Sequence, residues 1–313
     1  MGGWTLPALF LTMLMAAGAG PARANPDPDP AAMMSSGLPT PADIVAHAPD
    51  SAWTAIDPGD LMLLDLAGGH RVTIQLAPEF APVHIANIRK LIAAHWFDGT
   101  SVNRAQDDYV VQWGDATEKK PLPPEVVAKP PAEYERIAEG LRITPLASRD
   151  AYAPAVGFAD GWPVGRDPHS GLAWLTHCYA MVGVGRDLPP DTGTGAELYT
   201  VIGQAPRQLD RNITLVGRVI DGLPSLDTLP RGTASLGFYA RPEERLPILQ
   251  VRLAADLPLP GRPVWQVMRT DSASFAAYAG ARANRRDAFY VRPAAGVDLC
   301  NAPIPLRSAP PVR

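Results

Sequence analysis

F-D-G-T-S-V-N-R-A-Q-D-D-Y-V-V-Q-W-G-D, residues 97–115, reads as a turn, a strand, a tight turn and a second strand. Asp98-Gly99-Thr100 is a strong turn signal, and residues 101–104 can alternate as a strand. Gln106-Asp107-Asp108 is a polar reversal before the apolar Tyr109-Val110-Val111. If the two strands pair, Arg104, Tyr109 and Gln112 project from one face of the sheet. That face would be an apolar platform with one fixed charge and one amide.

Working outward, residues 61–66 and 71–76 flank Ala67-Gly68-Gly69-His70 and form a second hairpin. Pro82 suits the first turn of a helix on which Ile85, Ile88, Leu91 and Ile92 repeat at helical spacing. Such a helix would cap one open end of a barrel, with His84 on its surface or rim. Strand-like runs follow at 178–184, 197–202, 213–220 and 248–253. About eight strands, clustered rather than alternating with helices, predict a mainly β fold: a closed, eight-stranded antiparallel barrel capped by one or two helices.

The rest of the chain is organised by composition. Residues 25–58 carry Pro-Asp repeats with few periodic apolar positions, which predicts an extended lead-in, and 59–255 hold the barrel. Within the barrel, 116–170 are Pro-rich and read as an insertion or altered loop in which 132–141 could form one short helix. A C-terminal extension, 256–313, is expected to hold a helix near 271–285. At 313 residues and 46% hydrophobic content, the chain can bury one sizeable core with long decorations. Its 35 prolines place much of the excess in loops.

A net charge of −4 with scattered Lys and Arg gives no electrostatic footprint for nucleic acid or a membrane surface. The apolar stretch 6–19 followed by Ala22-Arg23-Ala24 has the form of a cleaved export signal, 1–24, shorter than the about 20 apolar residues of a membrane span. No stable span is expected after cleavage. The mature chain would be periplasmic in a two-membrane source and secreted otherwise. Export would permit a disulfide between Cys178 and Cys300. Because Cys178 opens an apolar run and Cys300 lies near a proline-rich end, two unpaired thiols are the expectation.

The six histidines show no metal spacing, so neither metal nor cofactor is expected. Gly183-Val184-Gly185 lacks the downstream glycine and strand-helix context of a dinucleotide loop. Asp191-Thr192-Gly193-Thr194 has the form of an aspartic-protease loop but occurs once and follows prolines, so a Gly-rich loop between strands is expected there.

The 97–115 stretch resembles the signature of the cyclophilin-type peptidyl-prolyl isomerases, aromatic-x-G-[ST]-x-F-H-R-x-x-x-x-F-x-x-Q-G-G-D, with Arg104, Gln112, Gly114 and Asp115 in register. Leu209-Asp210 followed by residues 215–222 is similar to that family's L-D-G-K-H-x-V-F-G-R-V-x-x-G. Ala81-Pro82-Val83 leading into Ala86-Asn87-Ile88 resembles its A-P-x-x-x-x-N-F. The resemblance spans roughly residues 60–255. It implies an isomerase acting on X-Pro bonds of proline-containing segments of unfolded or flexible proteins, a folding factor that works as a monomer. By the same resemblance, Arg104 would be the catalytic guanidinium and Gln112 the amide that orients it or holds the substrate. Tyr109, Val110, Tyr199, Leu209 and Ile213 would bound the proline pocket, while Val182 and Gly183 would offer backbone to the peptide. The chain departs from the pattern at Asn103 and Ile213, where histidines are usual, at Trp113 for glycine, and at Glu197 for glutamine. The alternative is a binding module of the same fold without useful turnover.

Overall fold

The computed structural model describes residues 38–287 and 289–309. The expected signal 1–24 and the start of the lead-in lie outside them. Where described, the lead-in is not simply extended. Helix α1 (Pro41–Ala46) is closed by a capping box in which Thr40 and Asp43 exchange side-chain and backbone hydrogen bonds. Strand β1 (Trp53–Ala55) follows. Six helical residues are too few to show an apolar period, which is why this helix escapes a pattern reading.

The chain then runs through β2 (Leu61–Leu66), β3 (His70–Leu76), α2 (Pro82–Ala93), β4 (Ser101–Ala105) and β5 (Val110–Gly114). Next come β6 (Arg136–Ile137), β7 (Ile143–Leu146), β8 (Ala155–Ala159), β9 (Trp162–Asp167) and β10 (Leu172–Leu175). Strands β11 (Met181–Val184), β12 (Leu198–Val201) and β13 (Leu215–Asp221) lead through α3 (Pro224–Asp227) to β14 (Leu246–Leu253). The tail adds β15 (Val264–Met268), α4 (Ala273–Ala283) and β16 (Leu306–Ala309).

Eight strands close in the antiparallel order β11-β12-β5-β4-β14-β2-β3-β13, with β13 returning to β11. The interior is filled by alternate residues, among them Met62, Leu64, Ile74, Val111 and Trp113, and Ile85, Ile88, Leu91 and Ile92 of α2 close one end. Leu61 and Leu63 point the other way, yet are no more than 2% exposed, because Phe158, Trp174, Met268 and Phe275 cover them. Strand β2 is therefore apolar on both faces, and its sequence reads L-M-L-L-D-L rather than alternating.

That outer cover comes from two further sheets, β6-β10-β9-β8-β7 and β1-β15-β16, and from Phe275 of α4. The expected insertion is thus folded, and 132–141 hold the short strand β6 instead of a helix. Glu133 accepts the N–H groups of Val83 and His84 in the first turn of α2, whose own N-cap, Ala81, has no side chain to do so. The segment thus caps α2. The tail helix α4 falls where one is expected.

Cys178 and Cys300 are bonded across 122 residues, which corrects the expectation of free thiols. The tail folds back so that Cys300 packs on the cluster of Ala77, Phe80 and Leu215 that holds Cys178. Arg218 of β13 fixes the β8–β9 turn to the barrel: it donates to Gln75 Oε1 at 2.7 Å and to the Gly161 carbonyl at 2.9 Å, over the Trp162 ring. Burial with only neutral acceptors pulls its pKa down to about 9. Among the described residues, no helix is long and apolar enough to cross a membrane.

Candidate active site

The site lies on the outer face of β4, β5 and β12. Arg104 pairs with Gln112, Gln112 with Tyr199 and Tyr199 with Gly183, a row of cross-strand neighbours over four strands. A bulge between Val102 and Arg104 shifts the register and puts the arginine in that row. Beside it, Val110 and Val201 join Tyr199 in a small apolar cluster with Tyr109 and Ile213 packed against them. A cavity of about 570 Å³ opens over this surface.

Arg104 is half-buried and held by neutral acceptors. Nε donates to the Leu236 carbonyl at 2.7 Å, Nη1 to Gln112 Oε1 at 2.9 Å, and Nη2 to Gln106 Oε1. Its guanidinium lies 5.7 Å from the Tyr109 ring centroid and 5.3 Å from that of Phe238. Desolvation lowers its pKa, opposed by Tyr109 and Glu197, and it stays a cation. Gln112 passes the contact on: its Nε2 donates to Glu197 Oε1 at 2.9 Å, as does Asn103 Nδ2 at 3.2 Å. Burial raises the Glu197 pKa, the two amides oppose the rise, and Glu118 and Asp115 add to it.

Tyr199 is 5% exposed. Its hydroxyl lies 2.8 Å from His177 Nε2, and His177 Nδ1 donates to Asp210 Oδ1 at 2.9 Å. Asp210 and Asp150 both grip the buried Arg207. The chain Asp150–Arg207–Asp210–His177 thus sets the ring that floors the cavity, and it fixes the loop carrying Leu209.

Of the expected site residues, Arg104, Tyr109, Val110, Gln112, Tyr199, Leu209 and Ile213 all line this one cavity. Val182 and Gly183 do not. Val182 pairs with Thr200 and faces the barrel interior, fully buried. Gly183 faces outward but lies under Tyr199: a Cβ there would sit 2.3 Å from the phenol oxygen. Its missing side chain makes room for the ring. Leu236 and Phe238 join the wall from the β13–β14 connection, where no local pattern marks them. Trp113 fills the barrel.

His84 is a second correction: it is fully buried, with Nδ1 2.6 Å from Glu133 Oε2 and Nε2 3.3 Å from the Thr192 carbonyl oxygen. One turn on, Asn87 Nδ2 donates to the carbonyls of Val127 and Thr194. Together they tie the 191–197 loop of the cavity wall and the added segment to α2. The spacing His84, Asn87 on one helical face was the available signal. Asp191 spends its carboxylate on the N–H groups of Asp187 and Gly193, which shapes that loop.

A family model described as "Cyclophilin type peptidyl-prolyl cis-trans isomerase/CLD" matches residues 62–253. The chain is 22% identical over 204 residues to proteins of Brucella suis biovar 1 and Brucella melitensis biotype 1, each described as "Probable peptidyl-prolyl cis-trans isomerase". Those alignments cover 65% of this chain and 87% of each relative. In three dimensions the chain is similar to cyclophilin AquaCyp293 from Hirschia baltica, with a TM-score of 0.67 and 24% identity over 88% of this chain and 100% of that one. At that identity the likeness bears on the fold alone.

Proposed function

We propose, from the premise that this chain belongs to the cyclophilin-type peptidyl-prolyl cis-trans isomerases, that it isomerises X-Pro bonds of exported proteins, with Arg104 as the group that lowers the barrier. Membership carries the isomerase activity. The clients and the role of Arg104 are our reading.

Rotation about a peptide bond is opposed by amide resonance, a barrier of about 18–20 kcal/mol. Twisting returns the lone pair to nitrogen, so a cation placed beside that nitrogen stabilises the twisted form more than the planar one. No covalent bond breaks, and neither a nucleophile nor an acid–base pair is required. Arg104 suits this task because, among the described residues, three of its five N–H donors go to neutral acceptors and none to a carboxylate. Val110 and Tyr199, backed by the buried Val201 and with Ile213 at the edge, offer a dry seat for a pyrrolidine ring. The row Arg104–Gln112–Tyr199, whose tyrosine is part of that seat, is the observation that carries the proposal. Export is in keeping with the 6–19 apolar stretch and with the Cys178–Cys300 bridge, a cross-link favoured in oxidising compartments. Residue-level sequencing of the exported chain should begin at Asn25, and an uncleaved cytoplasmic chain would end that part of the reading.

Exchange NMR on an Ala-Pro peptide tests the catalysis. Line broadening that Arg104→Ala abolishes is the expected result. Peptide shifts without exchange in either protein would leave a binding module, the reading that the Leu236 carbonyl already seated on Arg104 Nε favours.

A further inference from the structure

The hydrogen bonds at Glu197 are lopsided. Oε1 receives both protein donors, from Gln112 and Asn103, while Oε2 receives none among the described residues. The carboxylate lines the cavity that holds Arg104, one amide away from it. Two glycines flank it. A Cβ on Gly185 would stand 2.8 Å from Glu197 Cγ, and one on Gly114 would stand 3.4 Å from Cδ. Their missing side chains leave the carboxylate room and an open approach.

Arg104 reaches it only through space and across the Gln112 amide. Among the described residues, Glu197 has no ion-pair partner, and the other cations of the cavity wall are engaged elsewhere. Lys120 Nζ donates to the Trp96 and Asp98 carbonyls, and Arg186 to those of Asn212 and Asp187. The carboxylates whose charge is felt at Glu197, Asp115 and Glu118, are of the same sign. A desolvated carboxylate without a counter-ion is costly unless a cation reaches it.

We infer that Glu197 is a specificity-determining residue that receives the ammonium or guanidinium of a lysine or arginine within three residues of the substrate proline. This rests on the isomerase reading above and narrows its substrates to basic X-Pro segments. The long, flexible stem of such a side chain spans the gap from the proline seat past Gln112, which a short side chain would not.

The test is a peptide panel on the full-length mature protein, with Lys, Ala or Glu placed in turn at each of the three positions on either side of Ala-Pro. Exchange rates and dissociation constants come from the same NMR titrations. At the best position, Lys should exceed Glu by roughly tenfold in kcat/KM, expressed in KM and weakened by added salt. In Glu197→Gln, whose amide oxygen still accepts from Gln112 and Asn103, the ratio should fall to within about twofold. Equal constants for Lys, Ala and Glu peptides at every position would overturn the inference while leaving the isomerase intact. A preference that survives Glu197→Gln would overturn it too, by assigning the charge to Asp115 or Glu118. If no peptide exchanges, the isomerase reading fails instead, and the ratio of dissociation constants still decides for or against Glu197.

Discussion

Glu133 and Glu197 are both carboxylates drawn partly out of water, and burial pushes both toward the neutral acid. They end on opposite sides of their ordinary range. Glu133 is met by the His84 imidazole and the N–H groups of Val83 and His84, which outweigh burial and hold its pKa down. Glu197 is met by two amides on a single oxygen, and with Asp115 and Glu118 nearby its pKa stays up. The first belongs to the frame and is satisfied within the protein. The second belongs to the cavity and is left to be satisfied from outside. Arg104, cationic among neutral acceptors, follows the second pattern.

The comparison breaks first at Arg104. Removing it by Arg104→Ala should cut kcat/KM by about 100-fold, near 3 kcal/mol of barrier, as loss of one preorganised donor does elsewhere. Urea unfolding should show little change, and a variant that unfolds instead would move Arg104 into the frame. Glu133→Ala should do the reverse, costing about 2 kcal/mol of stability by stripping charged hydrogen bonds from α2. Because folding lowers the Glu133 pKa, its contribution is full above the ordinary carboxylate range and lost as pH falls through the lowered value. An acid titration of stability should therefore flatten in Glu133→Gln.

Gly183→Ala sits between the two regions. The added Cβ must displace the Tyr199 ring, which should cost about 1–2 kcal/mol of stability and raise KM together. A rise in KM with unchanged unfolding would show that the ring moves without loosening the barrel. The smallest effect is expected at Glu197→Gln, a gain of about 1 kcal/mol or less in stability. Folding raises this pKa, so the charged group weighs on the native state once pH exceeds the ordinary carboxylate range. The gain, read as thermal midpoints, should appear at neutral pH and vanish in acid.

Much of the barrel was legible because its strands are short apolar runs separated by Gly and Asp turns, a local signal. Arg104 and Gln112 were legible for the same reason, since one hairpin pairs them. Val182 and Gly183 lie off the cavity lining because strand parity turns Val182 inward and the Tyr199 ring covers Gly183. Longer-range facts left no local trace. His177 touches Tyr199 across 22 residues, His84 meets Glu133 across 49, and Cys178 finds Cys300 across 122. Residues 132–141 show the opposite failure, a helical reading where the chain forms β6 and turns Glu133 onto the start of α2.

Leu61 and Leu63 bear on what may be cut away. In a barrel standing alone, their face of β2 would be surface. Here the tail and the added sheet have turned it into interior, and Cys178 is tied to the tail. Trimming the gene to the family-matched 62–253 would strip Met268 and Phe275 from Leu63 and leave Cys178 an orphan thiol, giving a sticky fragment and not a minimal enzyme. The heritable unit is the barrel together with its wrappings, and a lineage could shed them only by first rewriting the greasy wall underneath.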